Sequence, residues 1–137
     1  MNGKKGLGEI LIVDDEIDLR DLIAFEFEME GFRVFTAGSG KEALSTVASH
    51  PIDVIISDVR MPDGGGLELA SQLKGLPGHP PNIILMTGFF SLEQESTVLT
   101  EVDSIFRKPF ELKSLIERVQ FLCQRRRTEP PRIKASG

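Results

Sequence analysis

Ile10-Leu11-Ile12-Val13-Asp14-Asp15-Glu16 runs four aliphatic residues directly into three carboxylates. A short, wholly apolar run of this kind predicts a strand covered on both faces, as in a parallel sheet packed between helices. Four further runs share its character: Val34 to Thr36, Val54 to Ser57, Ile83 to Met86 and Ser104 to Phe106. They alternate with five longer stretches of helical pattern, which predicts βαβ units and an α/β fold with a doubly wound parallel sheet. The first, third and fourth runs are the most apolar and belong in the middle. The second and fifth are shorter and more polar, as edge strands are.

Helix signals agree with that division. Ser39 precedes Glu42 by three residues and Ser91 precedes Gln94 likewise, two capping-box patterns that mark helix starts. Leu112, Leu115, Ile116, Val119, Leu122 and Cys123 form a stripe at helical spacing that predicts a final helix facing the core. Arg125, Arg126 and Arg127 follow it and are read as cations complementing the carboxyl end of that helix. Pro130 and Pro131 stop it. Residues 1–8 are expected to be a flexible N-terminus, 9–127 one domain, and 128–137 a flexible tail or the stub of a linker.

Composition narrows the class. The 137 residues suffice for one cored domain and are too few for two. Forty per cent hydrophobic and 27% charged residues describe an ordinary soluble globular chain, and the expected location is cytoplasmic, since no signal sequence or membrane-length apolar run is present. A net charge of −5 and a pI near 5.1 oppose direct nucleic-acid binding by this domain. The lone Cys123 makes neither an internal disulfide nor a zinc site and reads as a small core residue.

In open parallel sheets, ligands bind beyond the carboxyl ends of the strands. Here those ends carry Asp14, Asp15 and Glu16 after the first run, Asp58 after the third, Thr87 after the fourth, and Lys108-Pro109 after the fifth. Taken singly, each has a structural explanation: an aspartate capping the first helix, a threonine ending a strand, a solvated lysine. Jointly, carboxylates from two adjacent strands repel one another and call for a cation. All-oxygen ligands that await phosphate oxygens suit Mg²⁺ better than Ca²⁺.

Asp14-Asp15, Asp58 followed by Met61-Pro62, Thr87-Gly88 and Lys108-Pro109-Phe110 together resemble the receiver domain of bacterial two-component response regulators, from about Ile10 to about Arg125. Ser39 to Leu44 and Gly66 to Leu69 resemble that family's second and third helix starts. The resemblance implies a flavodoxin-like (βα)5 fold with strand order 2-1-3-4-5, and a phosphoacceptor module rather than an enzyme. It implies Asp58 as the residue that takes a phosphoryl group from a histidine kinase or histidine phosphotransfer protein. Asp15, Asp58 and the backbone carbonyl of Arg60 would hold Mg²⁺, with Asp14 acting largely through metal-bound water. Thr87 and Lys108 would each contact a phosphoryl oxygen, and Lys108–Pro109 would be a cis peptide. The output domain or partner protein is left unnamed, and no membrane association is implied.

Several positions depart from the family pattern. Ile105 stands where a switching aromatic is usual, and the chain has no tyrosine. The switch is therefore expected to run through Thr87 and Ile105 by repacking and helix movement, with Phe89, Phe90 or Phe106 as candidate substitutes for the ring. The span from Thr87 to Lys108 is one residue short, with Glu101-Val102-Asp103 where a glycine turn is frequent, and Ser96, Thr97 and Thr100 weaken the helix expected there. Gly65 replaces a capping aspartate. Two other readings stand beside the leading one: a binding module of the same fold, and a Mg²⁺-dependent phosphatase or mutase. The second of these usually places its nucleophile on the first strand and has a cap insertion, which this chain lacks.

Overall fold

The structure, a computed structural model, describes residues 6–61, 65–88, 98, 100 and 102–128. Strands β1 (Glu9–Val13), β2 (Arg33–Ala37), β3 (Val54–Asp58), β4 (Asn82–Thr87) and β5 (Ser104–Arg107) form one parallel sheet in the order β2-β1-β3-β4-β5. Around it lie helices α1 (Ile17–Glu30), α2 (Gly40–Ser49), α3 (Gly66–Lys74) and α4 (Leu112–Thr128). This is the expected doubly wound, flavodoxin-like order, with β2 and β5 at the edges. The helix expected between β4 and β5, with its Ser91–Gln94 start and with Ser96 and Thr97, falls almost wholly outside the described residues. So do Pro62, Phe89, Phe90, Glu101, Pro130, Pro131 and the outermost parts of both expected flexible ends.

Alternation along the strands divides the aliphatic side chains between two cores. Leu11, Val13, Ile55, Ile83 and Leu85 face one way and meet Ala43 of α2 and Leu69, Ala70 and Leu73 of α3. Ile10, Ile12, Val54, Ile56, Ile84 and Met86 face the other, against Ile23 and Phe27 of α1 and the Leu115, Val119, Leu122 and Cys123 stripe of α4. Both faces being buried explains the continuous apolar runs, and Cys123 is the core residue it was expected to be.

Local chemistry sets the helix ends. Gly31 closes α1 at a φ of 108°, where the left-handed conformation favours glycine, and its N–H bonds back to Glu28 at 3.0 Å. The Ser39 hydroxyl caps α2 by accepting from the Glu42 N–H at 3.2 Å. The returning bond of the expected capping box is displaced by one residue, because the Glu42 carboxylate accepts from the N–H of Gly38. At α3 the cap is Gly65, whose backbone runs so close to Val59 that a Cβ would stand 2.0 Å from the Val59 carbonyl oxygen. The Asp58–Val59 turn and the start of α3 thus lie in direct contact, joined by the Gly66 N–H bond to Val59 at 3.2 Å.

At the amino end of the sheet, two aspartates perform the same task. Asp53 accepts the Glu9 N–H at 2.9 Å with one oxygen and faces Arg126 Nε at 3.4 Å with the other. Asp103 accepts the Ile83 N–H at 2.8 Å and stands 3.6 Å from Arg125. Arg126 also donates to the carbonyls of Pro80 and His79, at 2.8 and 2.9 Å, and Arg127 to those of Gly6 and Leu7. The three arginines therefore do more than complement the helix dipole; they fasten the last turn of α4 to the sheet. Asp53→Ala strands the Glu9 N–H and removes the carboxylate that faces Arg126 Nε, and is expected to lower stability by about 1–3 kcal/mol. Far-UV circular dichroism during urea unfolding measures it.

Candidate functional site

The polar residues anticipated from the sequence meet at the carboxyl edge of the sheet, each delivered by a strand end. Asp14 follows β1, Asp58 closes β3, Thr87 closes β4, and Lys108 follows β5. Backbone bonds extend the strand alignment into these loops. Asp14 N–H donates to Ala37 at 3.1 Å, Val59 N–H to Met86 at 3.1 Å, and Lys108 N–H to Thr87 at 2.7 Å. The peptide between Lys108 and Pro109 is cis, as expected.

Lys108 occupies the centre of this cluster. Its Nζ lies 3.5 Å from Asp58 Oδ2, 3.7 Å from Asp14 Oδ2 and 3.8 Å from Glu16 Oε1. One ammonium faces three carboxylates. Asp14, Asp15 and Asp58 each offer an oxygen, and these three atoms lie within 4.8 Å of one another. Exposure grades across the set: Asp14 is fully buried, the Asp58 side chain is 16% exposed, and Asp15 is open to solvent.

Asp14 carries the strongest electrostatic conflict. Its Oδ1 accepts the Glu16 N–H at 2.9 Å at the start of α1, so the capping explanation holds for that oxygen. Its Oδ2 is buried and has no hydrogen-bond partner. Burial holds the Asp14 carboxyl above the usual carboxylate range, against the Glu16 N–H and the Lys108 ammonium that favour its charge; Asp58 and Glu16 push it the same way as burial. A buried acceptor left open beside two further carboxylates fits a hard divalent cation, which would supply the missing partner and charge.

Thr87 is buried at the end of β4, and Arg60 is exposed in the loop that follows Asp58. Ile105 pairs with Leu85 in register and packs, half-buried, against the core on the α2 and α3 side, the face to which alternation also assigns Thr87. Phe106 points to the opposite face and packs edge-on against Phe110 at 5.9 Å. It therefore does not share the Thr87 face, and the suggestion that it replaces a ring there is corrected by plain strand alternation.

Three contributors were not assigned from the sequence. Glu16 was noted only as part of an acidic run, yet it reaches Lys108. The Ser57 hydroxyl donates to the Asp58 carbonyl at 2.9 Å, a contact with no sequence signal beyond adjacency. Arg20 Nη1 donates to the Asp14 carbonyl at 3.4 Å. Its signal was available, since Arg20 is a cation in phase with Ile23 and Phe27 on the buried stripe of α1.

Comparison with known proteins agrees with this geometry. A family model described as the response regulator receiver domain matches residues 10–120. Response regulator SaeR of Staphylococcus aureus (strain USA300) is 34% identical over 116 residues, 85% of this chain and 50% of the relative, so the chain spans about half the length of the curated relatives it matches. The receiver domain of the Francisella response regulator 1452 superposes with a TM-score of 0.80 at 29% identity, covering 87% of this chain and 98% of that one. TrrA from Thermotoga maritima, solved in complex with Mg(2+)-BeF, gives 0.71 at 34% identity, with 84% and 98% covered. Fold, site and similarity converge, and the chain belongs to the response regulator receiver domain family of two-component signalling.

Proposed function

We propose that this domain accepts a phosphoryl group on Asp58 from a phosphohistidine of a partner kinase or phosphotransfer protein, and changes its interaction surface as a result. The observation that carries the reading is the Lys108 ammonium 3.5 Å from Asp58, inside a carboxylate set whose deepest member, Asp14, has an unsatisfied oxygen. Phosphoryl transfer needs positioning and charge neutralisation more than covalent help, and these residues supply both. An Asp58 carboxylate oxygen attacks phosphorus, the phosphorus–nitrogen bond of the donor breaks, and the released imidazole takes up a proton. Lys108 pairs with one phosphoryl oxygen and the Thr87 hydroxyl donates to another.

Asp15, Asp58 and the Arg60 carbonyl would hold Mg²⁺, with Asp14 reaching it through water. When bound, the ion neutralises the carboxylates and the incoming phosphoryl oxygens. TrrA, a relative at 34% identity, was solved with Mg(2+)-BeF, which supports this ion. The functional domain is taken as residues 9–127, acting as a phosphoacceptor rather than an enzyme on external substrates. Its acidic charge argues against contact with nucleic acid. No described helix is long and apolar enough to cross a membrane, and a cytoplasmic location fits partnership with a kinase. Thr87 and Ile105 lie on one face of adjacent strands, so the signal leaves by repacking there, since Ile105 has no ring to swing and few χ1 options.

With Mg²⁺ and a small phosphodonor, intact-mass analysis is expected to show one added phosphoryl group on the wild type and none on Asp58→Asn. Undiminished labelling of that variant removes Asp58 as the acceptor. Asp14 gives a second prediction, from linkage. Because its folded-state pKa is raised, folding favours the protonated form, so the ion-free protein bears the cost of a charged Asp14 at neutral pH and sheds it as pH falls through the raised value. Asp14→Asn is therefore expected to raise the ion-free melting temperature at pH 7 by roughly 2–5 °C. The difference closes on acidification and the stabilisation by added Mg²⁺ shrinks, as calorimetry across pH would record.

A further inference from the structure

Arg20 sits one turn into α1 in phase with the buried Ile23 and Phe27, on a stripe where a cation has no place unless its charged end meets a specific receiver. Its side chain is 18% exposed and its Nε is buried without a hydrogen bond. The nearby Asp21 carboxylate, at 3.7 Å, is itself largely in water and holds the guanidinium weakly. What Arg20 does reach is the carbonyl of Asp14. Gly38, just past β2, leaves the room, since a Cβ there would come 3.3 Å from Nη1.

That carbonyl belongs to the Asp14–Asp15 peptide. Its amino side is already fixed, with Asp14 N–H bonded to Ala37 and the Asp14 carboxylate to the Glu16 N–H. Among the described residues, no hydrogen bond or ion pair holds the exposed Asp15 carboxylate, so the backbone sets the direction from which it reaches. We infer that Arg20 is a positioning residue for the cation site: by gripping the Asp14 carbonyl it sets the peptide from which Asp15 meets a divalent ion. This rests on the reading of Asp14, Asp15 and Asp58 as that site.

The sign of the effect separates positioning from charge. A guanidinium acting only through its charge repels a divalent cation, and its removal tightens binding; a positioning group loosens binding when removed. The test is a Mg²⁺ titration of the full chain followed by amide NMR shifts, in wild type, Arg20→Met, Arg20→Gln and Asp15→Asn. Arg20→Met keeps the apolar stem and is expected to weaken Mg²⁺ by about tenfold, the size typical of a residue that orients a ligand. Arg20→Gln, polar but too short to reach, is expected to lose the same, and decides the matter if the methionine variant does not fold. In phosphoryl transfer from a small donor, the loss appears at low Mg²⁺ and is restored at saturation. An unchanged or tighter Mg²⁺ dissociation constant in the Arg20 variants overturns the inference, and leaves the site standing if Asp15→Asn loses binding. Wild-type affinity in Asp15→Asn overturns the site and this inference together.

Discussion

A parallel sheet buried on both faces can hold charge only at its two ends. Ile10 to Val13, Val54 to Ile56 and Ile83 to Met86 are sealed between helices, and a carboxylate or ammonium among them would stay solvated by neither water nor partner. Every ionisable group of the central strands is therefore driven to one edge or the other. The two edges resolve this crowding in opposite ways. At the amino edge charges are matched: Asp53 with Arg126, Asp103 with Arg125, Glu9 with Arg33. At the carboxyl edge they are not, and one lysine faces three carboxylates. The matched edge stabilises the domain, and the mismatched one leaves electrostatic work for a ligand.

Asp14 shows what the mismatch costs. A residue chosen for stability at that depth would be apolar or fully hydrogen-bonded, and Asp14 is neither. Its backbone and one oxygen are held by Ala37 and Glu16, so it cannot swing out to water, while its second oxygen stays open. The fold holds that oxygen without a hydrogen bond, with the Lys108 ammonium at 3.7 Å as its ion-pair neighbour, which is the arrangement expected where stability has been traded for binding.

The architecture was readable because hydrophobic period and strand ends are local signals. Four aliphatic residues in a row, followed by acids, predicted both the buried strand and the edge where chemistry collects, and the observed strands differ from the predicted runs by a residue or so at their ends. Partnerships across long sequence distances were not readable in this way. Asp103 was seen only as a departure from a glycine turn, although it caps the Ile83 N–H twenty residues back. Arg126 was assigned to a helix dipole, although it grips Asp53 and two carbonyls near β4. Neither bond leaves a spacing pattern in one sequence. Phe106 is a candidate substitute for the ring that Ile105 lacks on residue type alone, and counting alternation against the register places it on the other face.

The arginine fastening at the end of α4 also constrains how that helix can move. It is 17 residues long, about 25 Å of rod, held at its far end through Arg125, Arg126 and Arg127, nearer its start by the Arg118 bond to Ser104 at 2.7 Å, and along its length by the buried Leu115, Val119 and Leu122. A rod tied at several points along its length resists sliding, so its register against the sheet is set by these contacts.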